Sequence, residues 1–264
     1  MSIMNKTQNV KKQFSNDKNL AMRIDFYKKY TTNKYKFADW LFDKYEFKEN
    51  YSILELGCGN GSHWEGKIET LPTGCKLILS DFSDGMLDLV KEKYSKYKNV
   101  TFQKIDIQSI PFDENSFDII IANHMLFHVP DLNKALSEVQ RVLKKGGYFY
   151  SATDGNGGMR PFLHEAIKKF DSTSEAFTEK LPFNLQNGSE ILSRYFTNVE
   201  KFEYENVLAI TKTEDLIEWL KSTKSISGFS EENLVNLYKY FEGIRIKEGA
   251  IKIPRETGVF ISVK

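Results

Sequence analysis

The chain has 264 residues, of which 41% are hydrophobic, 14% aromatic and 28% charged. These values are typical of a folded globular protein, and the aromatic share argues against disorder. The net charge is +1: residues 1–48 hold 11 Lys and Arg against 5 Asp and Glu, so the remainder sums to −5. Because this excess is small and dispersed, we expect no nucleic-acid partner.

Strand-like and helix-like patterns alternate along the chain. Short apolar, β-branched or aromatic runs predict strands at SILEL, KLILS, VTFQKI, FDIIIA and YFYSAT, which span residues 52–56, 76–80, 100–105, 117–122 and 148–153. Amphipathic helices are predicted between them, one after a possible Ser83 cap and one from Leu132 to Leu143 that ends at Gly146 and Gly147. This order predicts a parallel sheet covered on both faces.

Three alternating glycines follow the first predicted strand, in the sequence ELGCGNG of residues 55–61. Glycine tolerates positive φ and lets a ligand approach the backbone, so a ligand crevice is expected there. A dinucleotide site usually carries G-x-G-x-x-G, but here the sixth position is Ser62. The carboxylate of Glu55 also favours a cationic ligand over a pyrophosphate.

The sequence ELGCGNG resembles the first motif of class I S-adenosylmethionine-dependent methyltransferases, in particular small-molecule, type 11-like members. The resemblance continues in order through LILSDFSDGML, FQKIDIQSIPFDENSFDIII, IIIANHMLFHVPD and LKKGGYFYSAT. It implies a Rossmann-like, doubly wound α/β fold whose mostly parallel seven-stranded sheet ends in an antiparallel C-terminal strand pair. It also implies S-adenosylmethionine as cofactor and S-adenosylhomocysteine as product.

The same resemblance assigns expected roles to individual residues. Asp81 would accept the ribose hydroxyls and Phe82 would face the adenine ring, while Asp106 and Ile107 would contact the adenine edge. The implied cofactor-binding residues are Glu55, Gly57, Cys58, Gly59, Gly61, Asp81, Phe82, Asp106, Ile107 and Asn123, together with Arg23 and Tyr30 for the cofactor carboxylate. Simpler readings remain open: Asp106 as a turn residue, Phe82 as core, and the glycines as a tight turn.

His124 is the candidate catalytic residue, as a general base at the mouth of the site. Methyl transfer to a strong nucleophile needs no base, so a lining role for His124 is the alternative. His128 lies four residues later, but Met125 stands where the zinc-binding helical motif needs Glu. Cys58 and Cys75 are the only cysteines and lack metal-ligand spacing, so we predict reduced thiols and no metal site.

The flanking segments are expected to supply the substrate side. Residues 1–48 are predicted as an N-terminal helical lid, and residues 49–264 as the methyltransferase domain with a helical insertion at about 155–250. One helical face holds Phe37, Trp40, Leu41 and Tyr45, which suits a lid or an ordinary core helix equally. We expect residues 15–47 to become ordered over the pocket with ligand, and a protein lacking residues 1–32 to fold. The runs VEKFEYENVLAI and TGVFISVK are predicted as the two closing strands.

The expected activity is in-line methyl transfer to an O, N or C nucleophile of a small molecule, by a monomer or homodimer. The residues after the fourth strand differ from those usual in quinone-methylating relatives, so a quinone acceptor is not predicted. An NAD(P)-binding oxidoreductase and a non-catalytic S-adenosylmethionine-binding protein are the alternatives. With no signal-like apolar stretch and no run of eighteen apolar residues, a cytoplasmic protein without a membrane partner is expected.

Overall fold

The computed structural model describes residues 18–223, 229–230 and 232–264. Its strands are β1 (Ser52–Leu56), β2 (Lys76–Asp81), β3 (Val100–Lys104), β4 (Phe117–Ile121), β5 (Leu143–Asp154), β6 (Thr197–Glu203), β7 (Val207–Ile210), β8 (Ile251–Pro254) and β9 (Thr257–Val263). Its helices are α1 (Lys18–Tyr30), α2 (Phe37–Phe42), α3 (Asp84–Tyr94), α4 (Leu132–Val142), α5 (Met159–Lys168), α6 (Gly188–Leu192), α7 (Thr213–Ser222) and α8 (Leu234–Glu248).

Seven of the strands described form one sheet in the order β3-β2-β1-β4-β5-β9-β6. The first five pair in parallel, and β9 runs antiparallel between β5 and β6. Central strands are apolar on both faces: in β4, Ile119, Ile120 and Ile121 are at most 1% exposed. The predicted Rossmann-like, mostly parallel sheet with antiparallel closing strands is therefore confirmed.

Two helices between the parallel strands begin at side-chain caps. The Ser83 hydroxyl accepts a hydrogen bond from the Met86 amide at the start of α3, as the sequence predicts. The Asp131 carboxylate accepts one from the Lys134 amide at the start of α4. Each of these helices connects two consecutive parallel strands, so the carboxyl ends of those strands lie at one edge of the sheet.

Several boundaries differ from the sequence prediction. Two short 3₁₀ turns, Ser62–Trp64 and Ile68–Thr70, follow the glycines, and Trp64 is buried there. Gly146 and Gly147 do not end a helix; they lie inside β5, which starts at Leu143. The run VEKFEYENVLAI is divided between β6 and β7, because β7 leaves the main sheet to pair with β8.

A second hydrophobic core lies outside the sheet. It is enclosed by α1, α5, α7, α8 and the β7–β8 pair, which together we call the cap. Within α1, Phe26 and Tyr30 are 4% and 3% exposed, and the Phe26 ring lies 6.1 Å from the Trp219 ring. The cap core contains Phe26, Tyr30, Met159, Leu163, Ala166, Ile167, Ala176, Phe177, Leu208, Ile210, Leu216, Ile217, Trp219, Leu220, Phe229, Leu237, Phe241, Ile251 and Ile253.

This packing bears on the expectation that a protein lacking residues 1–32 folds. Such a deletion removes Phe26 and Tyr30 from the cap core, together with the Lys29 and Tyr30 contacts to Asp215. We therefore expect the deletion to destabilise the cap. Among the described residues, no helix is both long and apolar enough to cross a bilayer.

We predict that Phe26→Ala lowers the free energy of unfolding by about 3–5 kcal/mol, because it leaves a cavity between α1 and α7. The control is Val235→Ala on α8, where the side chain is 67% exposed and a change within about 0.5 kcal/mol is expected. Urea unfolding of both variants measures the difference. Equal stability of the two would mean that α1 does not belong to the cap core.

Candidate functional site

All three glycines after β1 adopt left-handed backbone, with φ of 70° at Gly57, 56° at Gly59 and 71° at Gly61. They are needed for different reasons. A Cβ at Gly57 would lie 2.9 Å from the Met125 side chain, and one at Gly61 would lie 2.7 Å from the Tyr94 ring. At Gly59 it would meet only the end of Leu20, at 3.2 Å. Two glycines thus permit internal packing, and Gly59 faces the space beneath α1.

Asp81, the last residue of β2, lies directly against this loop. Its carboxylate accepts hydrogen bonds from the Gly59 amide at 2.9 Å and the Ser83 amide at 2.8 Å. Burial raises the pKa of Asp81, and the amides of Ser83, Gly59 and Phe82 oppose that rise. The Cys58 amide donates to the Ser80 carbonyl at 2.8 Å, which fixes the loop to β2. The glycine loop and Asp81 therefore form one unit.

Glu55 has a partner in the core. Its side chain is 1% exposed and accepts a hydrogen bond from the Trp64 indole at 2.5 Å. Burial raises the pKa of Glu55 to about 7, the Trp64 bond opposes the rise, and the nearby charge of Asp81 adds to it. The sequence placed Glu55 among the cofactor-binding residues, but the structure shows its carboxylate engaged with Trp64. Its connection to the site is through the loop that follows it.

Asp106 and Ile107 follow β3 at the same edge of the sheet. The Asp106 carboxylate accepts hydrogen bonds from the Gln108 amide at 2.9 Å and from its side chain at 3.0 Å, so Asp106 does shape a turn. Ile107 is 5% exposed and belongs to the core. Phe82 is half-buried directly after Asp81. The turn role of Asp106 leaves its backbone and carboxylate at the edge, where a ligand role remains a proposal.

Polar groups without partners lie after β4 and at the end of β5. Asn123 donates to the Tyr45 hydroxyl at 2.9 Å, while its Oδ1 is buried. His124 has φ of 52°, and its Nδ1 lies 3.8 Å from Asp154 Oδ2. Within the part of the chain that the structure describes, Asn123 Oδ1, His124 Nε2 and Asp154 Oδ1 are buried atoms without hydrogen-bond partners.

Such orphaned polar atoms are costly in a core and are typical of a ligand site. Burial lowers the pKa of His124, the carboxylate of Asp154 opposes this, and the guanidinium of Arg255 adds to it. A lowered pKa keeps the imidazole neutral at pH 7. Sequence reasoning missed Asp154; its signal was its position at the end of the fifth predicted strand.

The segment around α2 contacts both the candidate site and the sheet core. The Phe37 ring lies 5.5 Å from the His124 ring and 5.2 Å from the Tyr204 ring, and it stacks on Trp40 at 5.7 Å. These rings cover His124. Leu41 is fully buried in the sheet core, and Tyr45, which lies beyond the end of α2, packs on Tyr150.

The structure separates the two N-terminal candidates for the cofactor carboxylate. The Tyr30 hydroxyl donates to Asp215 at 2.5 Å and its ring is buried in the cap, so the predicted contact of Tyr30 with the cofactor would require this hydrogen bond to break. Arg23 follows Leu20 by one helical turn and thus shares the face of α1 nearest to Gly59. Burial lowers the pKa of Arg23. Arg23 remains the candidate on α1.

No group of three or more His, Cys, Asp or Glu suited to a metal ion occurs among residues 18–223, 229–230 and 232–264. His128, the other half of the four-residue His pair, lies in the 3₁₀ turn Leu126–His128.

Comparison with known proteins finds a family match for the central part of the sheet-forming region. Residues 54–151 match the family model described as a methyltransferase domain. We call this matched segment the methyltransferase domain. It contains the glycine loop, Asp81 and His124, but not the cap.

Curated relatives match only part of the chain. The demethylmenaquinone methyltransferase of Lactococcus lactis is 37% identical over 98 residues, which are 36% of this chain and 39% of the relative. The demethylmenaquinone methyltransferase of Staphylococcus aureus strain JH9 is 37% identical over 102 residues, 38% of this chain and 42% of the relative. The matched region thus spans about two fifths of the relatives' length.

Solved structures share the fold more widely. The YcgJ protein of Bacillus subtilis has a TM-score of 0.60 at 18% identity, over 86% of this chain and 97% of the other. At these identities the likeness establishes the fold of the methyltransferase domain and its surroundings, not the acceptor.

The methyltransferase domain offers a matched pair of glycine variants. Gly59→Ala and Gly61→Ala both place a side chain at positive φ, so their backbone strain is similar. We predict that Gly61→Ala loses about 2–4 kcal/mol of stability through its contact with Tyr94, and Gly59→Ala clearly less. Gly59→Ala should instead weaken S-adenosylhomocysteine binding by about tenfold or more. Calorimetry and urea unfolding measure both; the reverse pattern would contradict the assignment of Gly59 to the ligand side.

The raised pKa of Glu55 predicts that the stability of the folded protein depends on pH. Its folded pKa of about 7 lies above the ordinary value of 4.5, so the folded state retains a proton that the unfolded chain releases. The resulting stability is present below pH 4.5 and is lost as the pH rises through 7. Relative to Glu55→Gln, which keeps an acceptor for Trp64, the native protein should lose about 2–3 kcal/mol between pH 5 and 8. Parallel unfolding curves across this range would rule out a buried, protonated Glu55.

Proposed function

We propose that this chain transfers a methyl group from S-adenosylmethionine to an O, N or C nucleophile of a small molecule. The observation that carries the proposal is the arrangement at one sheet edge. The Asp81 carboxylate accepts a hydrogen bond from the Gly59 amide. Asn123 and His124, whose side chains each have a buried atom without a partner, come shortly after β4, which pairs with β1 on the side opposite β2. A ligand with a polar sugar and a polar tail fits this distribution.

The residues present suit the cofactor. In our proposal Asp81 accepts the ribose hydroxyls, Phe82 and Ile107 contact the adenine ring, and the space above Gly59 admits the ligand close to the backbone. Asp106 contacts the adenine edge. The polar tail is held by Asn123 and Arg23, while Gly57, Cys58 and Gly61 maintain the loop. When bound, S-adenosylmethionine supplies a methyl group that its sulfonium already activates.

His124 is proposed to touch the acceptor. Its imidazole is neutral at pH 7, and its Nε2 is buried without a partner, so Nε2 can accept the proton of an acceptor hydroxyl or amine. The Asp154 carboxylate, 3.8 Å from Nδ1, would stabilise the resulting imidazolium. Phe37 and Trp40 exclude water from this position.

The acceptor itself does not follow from the relatives. The matched relatives are demethylmenaquinone methyltransferases, whose acceptor is a small molecule, but the match spans only about two fifths of their length. Phe37 and Arg255, which act on His124, lie outside the segment 54–151, so we propose a small-molecule acceptor without narrowing it to a quinone. We further propose a cytoplasmic monomer or homodimer without a nucleic-acid partner, in keeping with the net charge of +1.

Residues 1–48 are proposed as a lid, and residues 49–264 as the methyltransferase domain with the insertion at about 155–250. The position of Leu20 at 3.2 Å from the Gly59 Cβ site supports the lid, since a ligand approaching Gly59 must pass α1. Residues 15–17 of the proposed mobile segment lie outside the described residues.

We predict that Asp81→Ala weakens S-adenosylhomocysteine binding by tens- to several hundredfold, about 2–4 kcal/mol, because two charge-assisted hydrogen bonds to the ribose are lost. Asp88→Ala on α3 is the control, since its side chain is 77% exposed. Calorimetry with both variants and with NADH tests the proposal. Unchanged affinity in Asp81→Ala, or preferential NADH binding by the native protein, would contradict it.

A further inference from the structure

Arg255 occupies an unusual position between β8 and β9. Its amide donates to the Asn206 carbonyl at 3.2 Å, which fixes the backbone. Its guanidinium stacks on the Tyr27 ring at 4.0 Å from the centroid and lies 5.6 Å from the Phe37 ring. A guanidinium held by its flat face keeps the N–H groups at its edge available to an in-plane acceptor.

Arg255 has no counter-ion in the part of the chain that the structure describes. No carboxylate there lies within 4.0 Å of its guanidinium, although eleven other ion pairs are present. The adjacent Glu256 is engaged elsewhere, accepting hydrogen bonds from the Gly157 amide at 2.8 Å and the Gln186 side chain at 3.1 Å. The guanidinium is half-buried, and its charge is not balanced by a neighbouring side chain.

The charge of Arg255 acts on the space beside His124. Phe37 touches both residues, with its ring 5.5 Å from the His124 ring. Burial lowers the pKa of His63 to about 4, with smaller contributions from the charges of His124, Lys28 and Arg255. Burial and Arg255 also lower the pKa of His124, so both imidazoles are neutral here. Arg255 is thus a fixed positive charge beside both imidazoles.

A second arginine, Arg160, has its charge offset by carboxylates. It donates to the Glu179 carbonyl at 2.7 Å and lies over the Phe177 ring at 5.6 Å. Burial lowers the pKa of Arg160, and the negative charges of Glu179 and Asp154 oppose that change. Among the described residues, Arg255 has no carboxylate of this kind within ion-pair distance, so its charge is the one that an anionic molecule would balance.

We propose that the methyl acceptor is a flat, anionic small molecule whose carboxylate or other acidic oxygens bind Arg255 while its nucleophile lies at His124. The inference rests on the proposed function and names the class of acceptor. Aromatic rings lie beside both anchors, with Tyr27 and Phe37 against Arg255 and Phe37 against His124, and such flat faces favour a flat molecule over a branched one.

The carboxylate of the cofactor is another anion that Arg255 could bind, but Arg23 is better placed for it. Leu20 reaches to 3.2 Å from the Gly59 Cβ site, and Arg23 follows it on the same face of α1. Arg255 lies on Phe37, which covers His124 at the far end of the site. Arg23 is thus placed for the cofactor, and Arg255 for the acceptor.

The test compares acids with neutral molecules of the same shape. Benzoate, 4-hydroxybenzoate, 3,4-dihydroxybenzoate and cinnamate are titrated against their amides, with the native protein saturated in S-adenosylhomocysteine and binding measured by calorimetry. At least one acid should bind about tenfold or more tightly than its amide. Arg255→Gln should remove that preference, Arg255→Lys should retain part of it, and Arg194→Gln, an exposed surface arginine, should keep it whole.

Two results would overturn the inference: no acid binding more tightly than its amide, or Arg255→Gln keeping the preference. A further comparison tests whether Arg255 binds the carboxylate of the cofactor instead of the acceptor. It uses the affinities of each variant for S-adenosylhomocysteine and for 5′-methylthioadenosine, which lacks that carboxylate. If Arg255→Gln weakens the first and spares the second, Arg255 binds the cofactor and not the acceptor. Failure of the native protein to bind S-adenosylhomocysteine at all would instead contradict the proposed function.

Discussion

Helix α1 contributes to two parts of the molecule at once, and the arrangement of the site depends on that constraint. Its Phe26 and Tyr30 are buried in the cap core, while Leu20, nearer the N-terminus of the same helix, reaches the Gly59 loop. Because a helix is stiff over this length, the cap core sets the distance between α1 and the glycine loop. Opening the space above Gly59 therefore requires α1 to move with, or detach from, the cap.

The proposed site combines residues of the sheet edge with residues outside the sheet. Asp81, Asn123 and His124 lie at the ends of strands of one parallel sheet, so their spacing is set by strand pairing and is nearly independent of the cap. Tyr27 of the cap and Arg255, directly after β8, meet this edge at Phe37. The family model matches residues 54–151, whereas the proposed acceptor contacts at Phe37 and Arg255 lie outside that segment.

The sequence predicted the sheet and its edge better than the cap, for physical reasons. Apolar strands and the alternating glycines are local signals, and Gly57, Gly59 and Gly61 do adopt positive φ. The pairing of β7 with β8 joins residues more than forty positions apart, which no local period reveals. The hydrogen bond of Tyr30 to Asp215 likewise joins residues 185 positions apart, so the sequence could not reveal it. Arg255 and Asp154 were missed because their roles depend on neighbours from other elements.

Hydrogen exchange with and without S-adenosylhomocysteine tests the central claim, that α1 covers the cofactor site as part of the cap. The account predicts that amides of Lys18–Tyr30 gain protection when the ligand binds, and that those of Thr213–Ser222 gain protection with them, since α1 and α7 share a core. The parallel strands should change little. Equal protection of Lys18–Tyr30 in both states would contradict the claim and leave α1 as an ordinary core helix.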